Sequence, residues 1–277
     1  MAINIQRIII FHVLILISNF ASGQSPLEGF KPFDPVNVAS KVAVDLDSYY
    51  FVAENTLYTF RPGFYYSIPN KRHLMGLSVP IVHSIFSGDF AGYENTTGIG
   101  DIRFAYLGVP YQSKDALGLQ RITAMMEITA PTGNEQLGRG VGEWVYKPGV
   151  AISIRANEAV HIFPKVTFQF STSELNSLGG GDGLPDLEDP EEHESLKVIS
   201  FGLPATLAVE SWQGWVTLSP EYIHTFTEDT YFIFLQMELG KMIGKRTSTS
   251  LQITRFIAGQ PRLETIFRVR FNFFLNH

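Results

Sequence analysis

Leu263-Glu264-Thr265-Ile266-Phe267-Arg268-Val269-Arg270-Phe271-Asn272-Phe273-Phe274, close to the C-terminus, is the stretch whose reading decides the fold. From Thr265 onward, alternate positions separate by chemistry. Phe267, Val269, Phe271 and Phe273 fall on one side; Ile266, Arg268, Arg270 and Asn272 fall on the other. Successive side chains of a β-strand point to opposite faces, so this is a strand with one apolar face and one largely polar face. Two settings satisfy it. It can lie on a soluble core with its arginines in water, or it can close a membrane barrel with aromatics in lipid and arginines in a polar lumen. The rest of the chain has to separate the two.

Composition narrows the field. The chain has 277 residues, 45% of them hydrophobic, and a mean hydropathy of only +0.06. A helical membrane protein is far more apolar, whereas a β-barrel turns only every second strand residue toward lipid. Phe (22), Tyr (11) and Gly (24) are abundant, which suits strands with aromatic girdles and tight turns. The net charge of −6 argues against a general nucleic-acid binder. Cysteine is absent, which excludes disulfides, Cys-ligated metals and a lipoprotein anchor.

Residues 1–23 have the pattern of a secretory signal peptide. Arg7 supplies the positive start, Ile8 to Ile17 an apolar run interrupted by His12, and Ala21-Ser22-Gly23 a small-x-small cleavage site. The apolar run is too short to span about 30 Å of hydrocarbon at roughly 1.5 Å per residue. Residues 24–39, with Pro26, Pro32 and Pro35, read as an irregular lead-in. Residues 40–277 then form the folded unit.

Within that unit no long helical pattern occurs. Alternating or β-rich runs recur instead, near residues 40–53, 57–68, 72–84, 98–110, 120–130, 143–156, 159–171, 196–209, 212–225, 230–241, 247–258 and 262–274. This predicts an all-β, antiparallel, up-and-down transmembrane barrel of about twelve strands, an even number as such barrels require. The connections agree in part. Long ones (85–97, 131–142 and 172–195) all follow odd strands, and tight turns at Asn157-Glu158 and Ser211 follow even ones. Prolines 62, 80, 148, 164, 204 and 220 fall inside runs and cannot donate a ladder hydrogen bond, so they mark bulges or interruptions. Aromatic clusters at Tyr49-Tyr50-Phe51, Phe64-Tyr65-Tyr66 and Phe271-Phe273-Phe274 are expected to seat the wall at the membrane interfaces.

Alternation also assigns an inner set of side chains. Lys41, Asp45, Asp47, Arg61, Asp101, Arg103, Arg121, Glu127, Lys147, Arg155, Lys165, Arg268 and Arg270 are the candidate lumen-lining charges, with Glu221, Glu238 and Glu264 beside them. Buried charges need water or partners. Both signs are present, so the expectation is cross-lumen ion pairs around a narrow pore without strong charge selection. The same pairs could simply fill the interior, and the lead-in could plug it.

Two stretches carry a more specific signal. Thr97-Gly98-Ile99-Gly100-Asp101-Ile102-Arg103-Phe104-Ala105-Tyr106 is a turn entering a strand, and Ala130-Pro131-Thr132-Gly133-Asn134 followed by Leu137-Gly138-Arg139-Gly140 leads into Trp144 to Ile154. In this order and spacing they resemble the outer-membrane β-barrel family associated with the meta-pathway of phenol degradation. The C-terminal aromatic strand likewise resembles the signal read by the bacterial barrel-assembly machinery, although Leu275, Asn276 and His277 follow where that pattern usually stops. The resemblance implies a barrel in outer-membrane lipid of a bacterial cell. It also implies a role in moving small hydrophobic or amphipathic solutes. It does not name phenol as the solute. The motif glycines are read as tight-turn residues with φ > 0 at the outer rim. Asp101 either accepts from backbone amides or faces a basic lumen residue.

Other motifs are weaker. Gly98-x-Gly100 has no following helix, so phosphate binding is not expected. The acidic run in residues 181–194 reads as a solvated loop, with Ca²⁺ binding the sharper alternative. His83, Ser84 and Asp89 are residue types of a hydrolytic triad, but neighbours on a strand point apart. His161, His193 and His224 lack metal-ligand spacing. The expectation is a non-enzyme without cofactor or metal. The alternatives are an outer-membrane enzyme acting on lipid or peptide, or a secreted soluble β-sandwich binding module whose apolar face a second sheet would cover.

Overall fold

The computed structural model describes residues 32–51, 56–68, 72–85, 95–113, 117–172, 197–227, 229–259 and 263–275. The expected signal peptide, Asp89, His193 and the acidic run 181–194 lie outside the described residues. Strand segments follow the alternating runs: β1 (Lys41–Phe51), β2 (Thr56–Ser67), β3 (His73–Ser78), β4 (Ile81–Ile85), β5 (Thr96–Ile99), β6 (Ile102–Gln112), β7 (Gly118–Ala130), β8 (Val145–Arg155), β9 (Val160–Ile162), β10 (Lys165–Ser171), β11 (Lys197–Gly202), β12 (Ala205–Val209), β13 (Gly214–Thr225), β14 (Thr230–Met242), β15 (Thr247–Gly259) and β16 (Leu263–Phe274). The pairs β3/β4, β5/β6, β9/β10 and β11/β12 each continue one wall strand across a short break. β1 pairs with both β2 and β16, so the sheet closes into an antiparallel barrel of twelve strands. Closure leaves no sheet edge.

The prolines act in two ways. Pro80, Pro164 and Pro204 fall in the breaks, whereas Pro62, Pro148 and Pro220 sit inside β2, β8 and β13. Their carbonyls still accept across the breaks. Val79 N–H donates to the Pro62 oxygen at 3.1 Å, Phe163 N–H to that of Pro204 at 2.8 Å, and Leu203 N–H to that of Pro220 at 3.0 Å. A proline therefore costs the wall a donor but not its continuity.

The two ends of the barrel differ. Residues 156–159, 210–213 and 243–246 connect strands at the end where β1 begins and β16 finishes. The long connection 131–144 lies at the opposite end.

Facing follows the two-residue period. Phe60, Phe64, Tyr66, Met75, Leu77, Phe104, Val150, Phe168, Phe201, Leu218 and Met237 are all exposed on the outer surface. Inside, Thr123, Ser153, Thr167, Ser200, Thr206, Thr217, Ser248 and Gln252 are buried. Hydroxyls pair across neighbouring strands, Thr167 with Ser200 and Thr206 with Thr217, each at 2.7 Å. A chain that exposes aromatics outward and buries threonines inward inverts the arrangement of a soluble domain. The aromatic clusters are accordingly split. Phe64 and Tyr66 face out, but Tyr65 lies inside, with Lys41 Nζ 5.5 Å from its ring centre. Phe274 is buried while Phe273 is exposed, and the Tyr49 hydroxyl donates inward to Asp47 at 3.2 Å. The pleat lets only alternate residues of each cluster face outward, so the clusters do not serve whole as interface girdles.

Residues 32–39, the described part of the lead-in, do not trail outside. Ser40 is tied to both neighbours of β1: its carbonyl accepts from Leu275 N–H at 2.9 Å, and its hydroxyl accepts from Ser67 N–H at 2.8 Å. From there residues 32–39 run across the interior. Phe33 reaches His161 at 5.0 Å, Trp215 at 6.3 Å and Phe163 at 6.5 Å between ring centres. Asp34 pairs with Arg121 of β7. These partners stand on the far side of the wall from β1, so the segment spans the barrel mouth.

Candidate functional site

The strongest charge cluster sits where the first strand meets its neighbours. β1 places Asp45 opposite Arg270 of β16 and Arg61 of β2, and Asp47 opposite Arg268. Arg270 grips Asp45 with two bonds, Nε to Oδ1 at 2.7 Å and Nη2 to Oδ2 at 2.9 Å. Arg268 Nε donates to Asp47 Oδ1 at 2.6 Å, and Arg61 donates to the other Asp47 oxygen. Paired guanidinium–carboxylate forks are the strong form of this contact. The sequence suggested ion pairs across the lumen. The structure shows them instead running sideways along one side of the wall, because paired strands lie only about 4.8 Å apart whereas a barrel interior is much wider. Three guanidiniums on two carboxylates leave this side of the interior net positive.

The remaining candidates are scattered. Lys165 pairs with Glu221 at 3.2 Å, and Arg103 approaches Glu127 at 4.0 Å with both side chains more than a third exposed. Lys147 stands opposite Glu127 in the β7–β8 register. Arg155 Nε donates to the Asn157 carbonyl at 3.2 Å. Glu238, next to this set, accepts from Trp215 Nε1 at 3.2 Å.

Asp101 belongs to a different assembly. Its carboxylate accepts from Gly133 N–H and Val141 N–H, each at 2.8 Å, so it holds the 131–144 connection by backbone amides. The two motif stretches interlock here. Thr132 Oγ1 donates to the Gly100 carbonyl at 3.0 Å and accepts from Ile102 N–H at 2.9 Å; Arg139 donates to the Thr97 carbonyl at 3.1 Å. The expected left-handed turns at Gly98 and Gly100 are not found; among the motif glycines only Gly138 has positive φ, at 64°. Gly100 is required for space, whereas Gly98 leaves room for a side chain that could otherwise move. A Cβ at Gly98 would strike the Arg139 guanidinium, and one at Gly100 would meet Val82 and the Arg139 carbonyl. The motif spacing is thus a loop lock, in which the second stretch lies over the first.

His83 and Ser84 point to opposite faces. His83 bonds Thr97 Oγ1 at 2.7 Å on the outer side, while Ser84 is buried inside.

At the mouth crossed by the lead-in, a cavity of about 300 Å³ lies between that segment and the wall. Asp34, Asn37, Gln112, Ser113, Gln120, Arg121, Ser153, Ile154, Arg155, His161 and Phe163 line it. Of these the sequence marked only Arg121 and Arg155 as inner charges. Phe33 and Asp34 carried no periodic signal, because a segment outside any strand has no face to read.

No protein-family model matches the chain, and no curated protein sequence matches it. Solved structures do. An outer membrane channel from Pseudomonas putida F1 superposes with a TM-score of 0.66 at 13% identity, over 89% of this chain and 100% of that one. The NanC porin gives 0.54 at 10% identity, over 86% and 100%. The KdgM porin gives 0.51 at 8% identity, over 85% and 99%. At these identities the likeness is one of fold, and the fold is that of outer-membrane β-barrels.

Proposed function

We propose that the chain is an outer-membrane channel or transporter-like barrel that passes small hydrophobic or amphipathic solutes, and that it is not an enzyme. One observation carries this reading: a closed twelve-strand wall exposes its apolar side chains outward and buries hydroxyls and ion pairs within. An apolar surface that encircles a barrel fits lipid rather than water. The interior supports selective rather than bulk flow, since the lead-in spans one mouth and the Asp45–Asp47 cluster occupies one side. The outer membrane channel and the porin among the fold neighbours support the same reading. The interlocked motifs support kinship with the barrels associated with the phenol meta-pathway, with the solute left to assay. Signal-peptide cleavage after Gly23 and delivery to the barrel-assembly machinery complete the proposal.

The test is a gel of the outer-membrane fraction, heated and unheated in detergent, followed by solute uptake into liposomes. A heat-modifiable band and faster uptake of small aromatic solutes than of sugars are the expected results. A soluble protein without a mobility shift would overturn the barrel-in-membrane reading. A shifting band with uptake no faster than in empty liposomes would overturn the transport reading.

A further inference from the structure

The cavity beside the lead-in has the chemistry of an anion site. Setting His161 aside, its charged lining is Arg121 and Arg155 against Asp34, a net charge of +1. Two residues of its lining keep a buried donor without a partner: Ser153 Oγ and Arg121 Nε have no hydrogen-bond partner among the described residues. Ser153 is only 5% exposed, so water does not satisfy it cheaply. Apolar surface is supplied on one side by Phe163, whose ring stacks on His161 at 6.4 Å, and by Ile154. About 300 Å³ holds a single ring or a short chain.

Arg121 already holds a carboxylate there, that of Asp34, whose neighbour Phe33 seats the lead-in among His161, Phe163 and Trp215. We infer that this cavity binds a small organic monocarboxylate, and that the solute competes with Asp34 for Arg121 and so unseats the lead-in from the barrel mouth. The lead-in carries its own carboxylate as a stand-in for the ligand. Once Asp34 is displaced, an incoming carboxylate can take up donors that Asp34 does not use, Ser153 Oγ and Arg121 Nε, and Arg155 adds charge. Unseating Asp34 removes the one negative charge in the lining, so the anion binds the open state more tightly. By linkage, binding then shifts the segment toward the open state. The effect on flux rests on the channel reading above; the binding and the unseating do not.

The test uses full-length protein in detergent with benzoate as probe, and benzylamine and benzyl alcohol as controls. The chain has no cysteine, so Val36→Cys, at a position 3% exposed, gives a single thiol that reports unseating through its rate of maleimide labelling. Titration calorimetry should show saturable benzoate binding and none for benzylamine. Ser153→Ala should weaken it by about tenfold, the value of one bond to a charged group. Asp34→Asn should tighten it and speed labelling without ligand. Benzoate should speed labelling of Val36→Cys by about 5-fold or more, within the usual range of coupling between sites. A heat-modifiable shift checks that each variant is folded. Equal binding of benzylamine, no saturable binding, or binding that leaves the labelling rate unchanged would each overturn the inference. Conductance of the same samples, read separately, tells a failed channel reading from a failed site.

Discussion

Asp47 on the first strand stands directly opposite Arg268 on the last, and their bond at 2.6 Å links the two ends of the sequence across the closure of the barrel. The Asp47 side chain is fully buried and also receives Arg61. Removing it leaves two guanidiniums facing each other without their shared counter-charge. Breaking a buried pair from one side costs about 3–5 kcal/mol. Asp47→Ala should therefore lower the temperature at which the compact band opens on a gel. The double variant Asp47→Asn with Arg268→Gln should recover part of the loss, since it removes charges of both signs. A double variant no more stable than the single one would show that the pair is not the source of the stabilisation.

The same strand sets a second contrast. Val269 pairs with Leu46 and Leu251, both on the outer apolar face. An arginine at that depth in lipid costs about 2–4 kcal/mol. Val269→Arg should reduce the amount of assembled barrel in the outer-membrane fraction. Arg268→Gln should assemble better than Val269→Arg, because Asp47 keeps Arg61. Equal assembly of both would mean that the faces of β16 have been assigned the wrong way round.

Much of this architecture was legible because it depends on a period of two. Alternation in runs such as Arg121 to Thr129 made strand existence and strand number legible together, and all twelve wall strands fall where the runs predicted them, while the runs 72–84, 196–209 and 247–258 left their facing open. Partner choice was not legible. Nothing in sequence separates an Asp45 that bonds a neighbouring strand from one that bonds across the lumen; register decides it, and register depends on long-range closure. The lead-in was harder still. Phe33 and Asp34 act through where the chain crosses, which local pattern does not encode. The motif glycines show a third limit. Gly98 signals either a special φ or a close neighbour, and only the position of Arg139 chooses between them.

The loop lock makes a prediction at the other end of the barrel. Asp101 accepts two amide bonds from the 131–144 connection, and bonds to a charged group contribute about 1.5–3 kcal/mol each. Asp101→Ala should free that connection without opening the wall. Arg139 lies within it, so trypsin should cut there far faster in Asp101→Ala than in the parent, with heat-modifiability retained. Gly98→Val should behave similarly by displacing the Arg139 side chain. Protection from trypsin in Asp101→Ala would mean that other contacts hold the connection.

Phe33 provides the most direct measure of what the lead-in does. It is partly buried against His161, Phe163 and Trp215, so truncation to alanine removes about 1–2 kcal/mol of apolar contact. At about 1.4 kcal/mol per factor of ten, the unseated population should rise by roughly tenfold. The wall pairs without Phe33, so Phe33→Ala should keep its compact band on a gel. In planar bilayers it should show longer or more frequent openings than the parent, and Trp215, buried in the parent, should shift its emission toward that of a solvated indole. Unchanged openings together with a shifted emission would mean that the segment leaves its seat without controlling the passage, and that the constriction lies instead at the Asp45–Asp47 cluster.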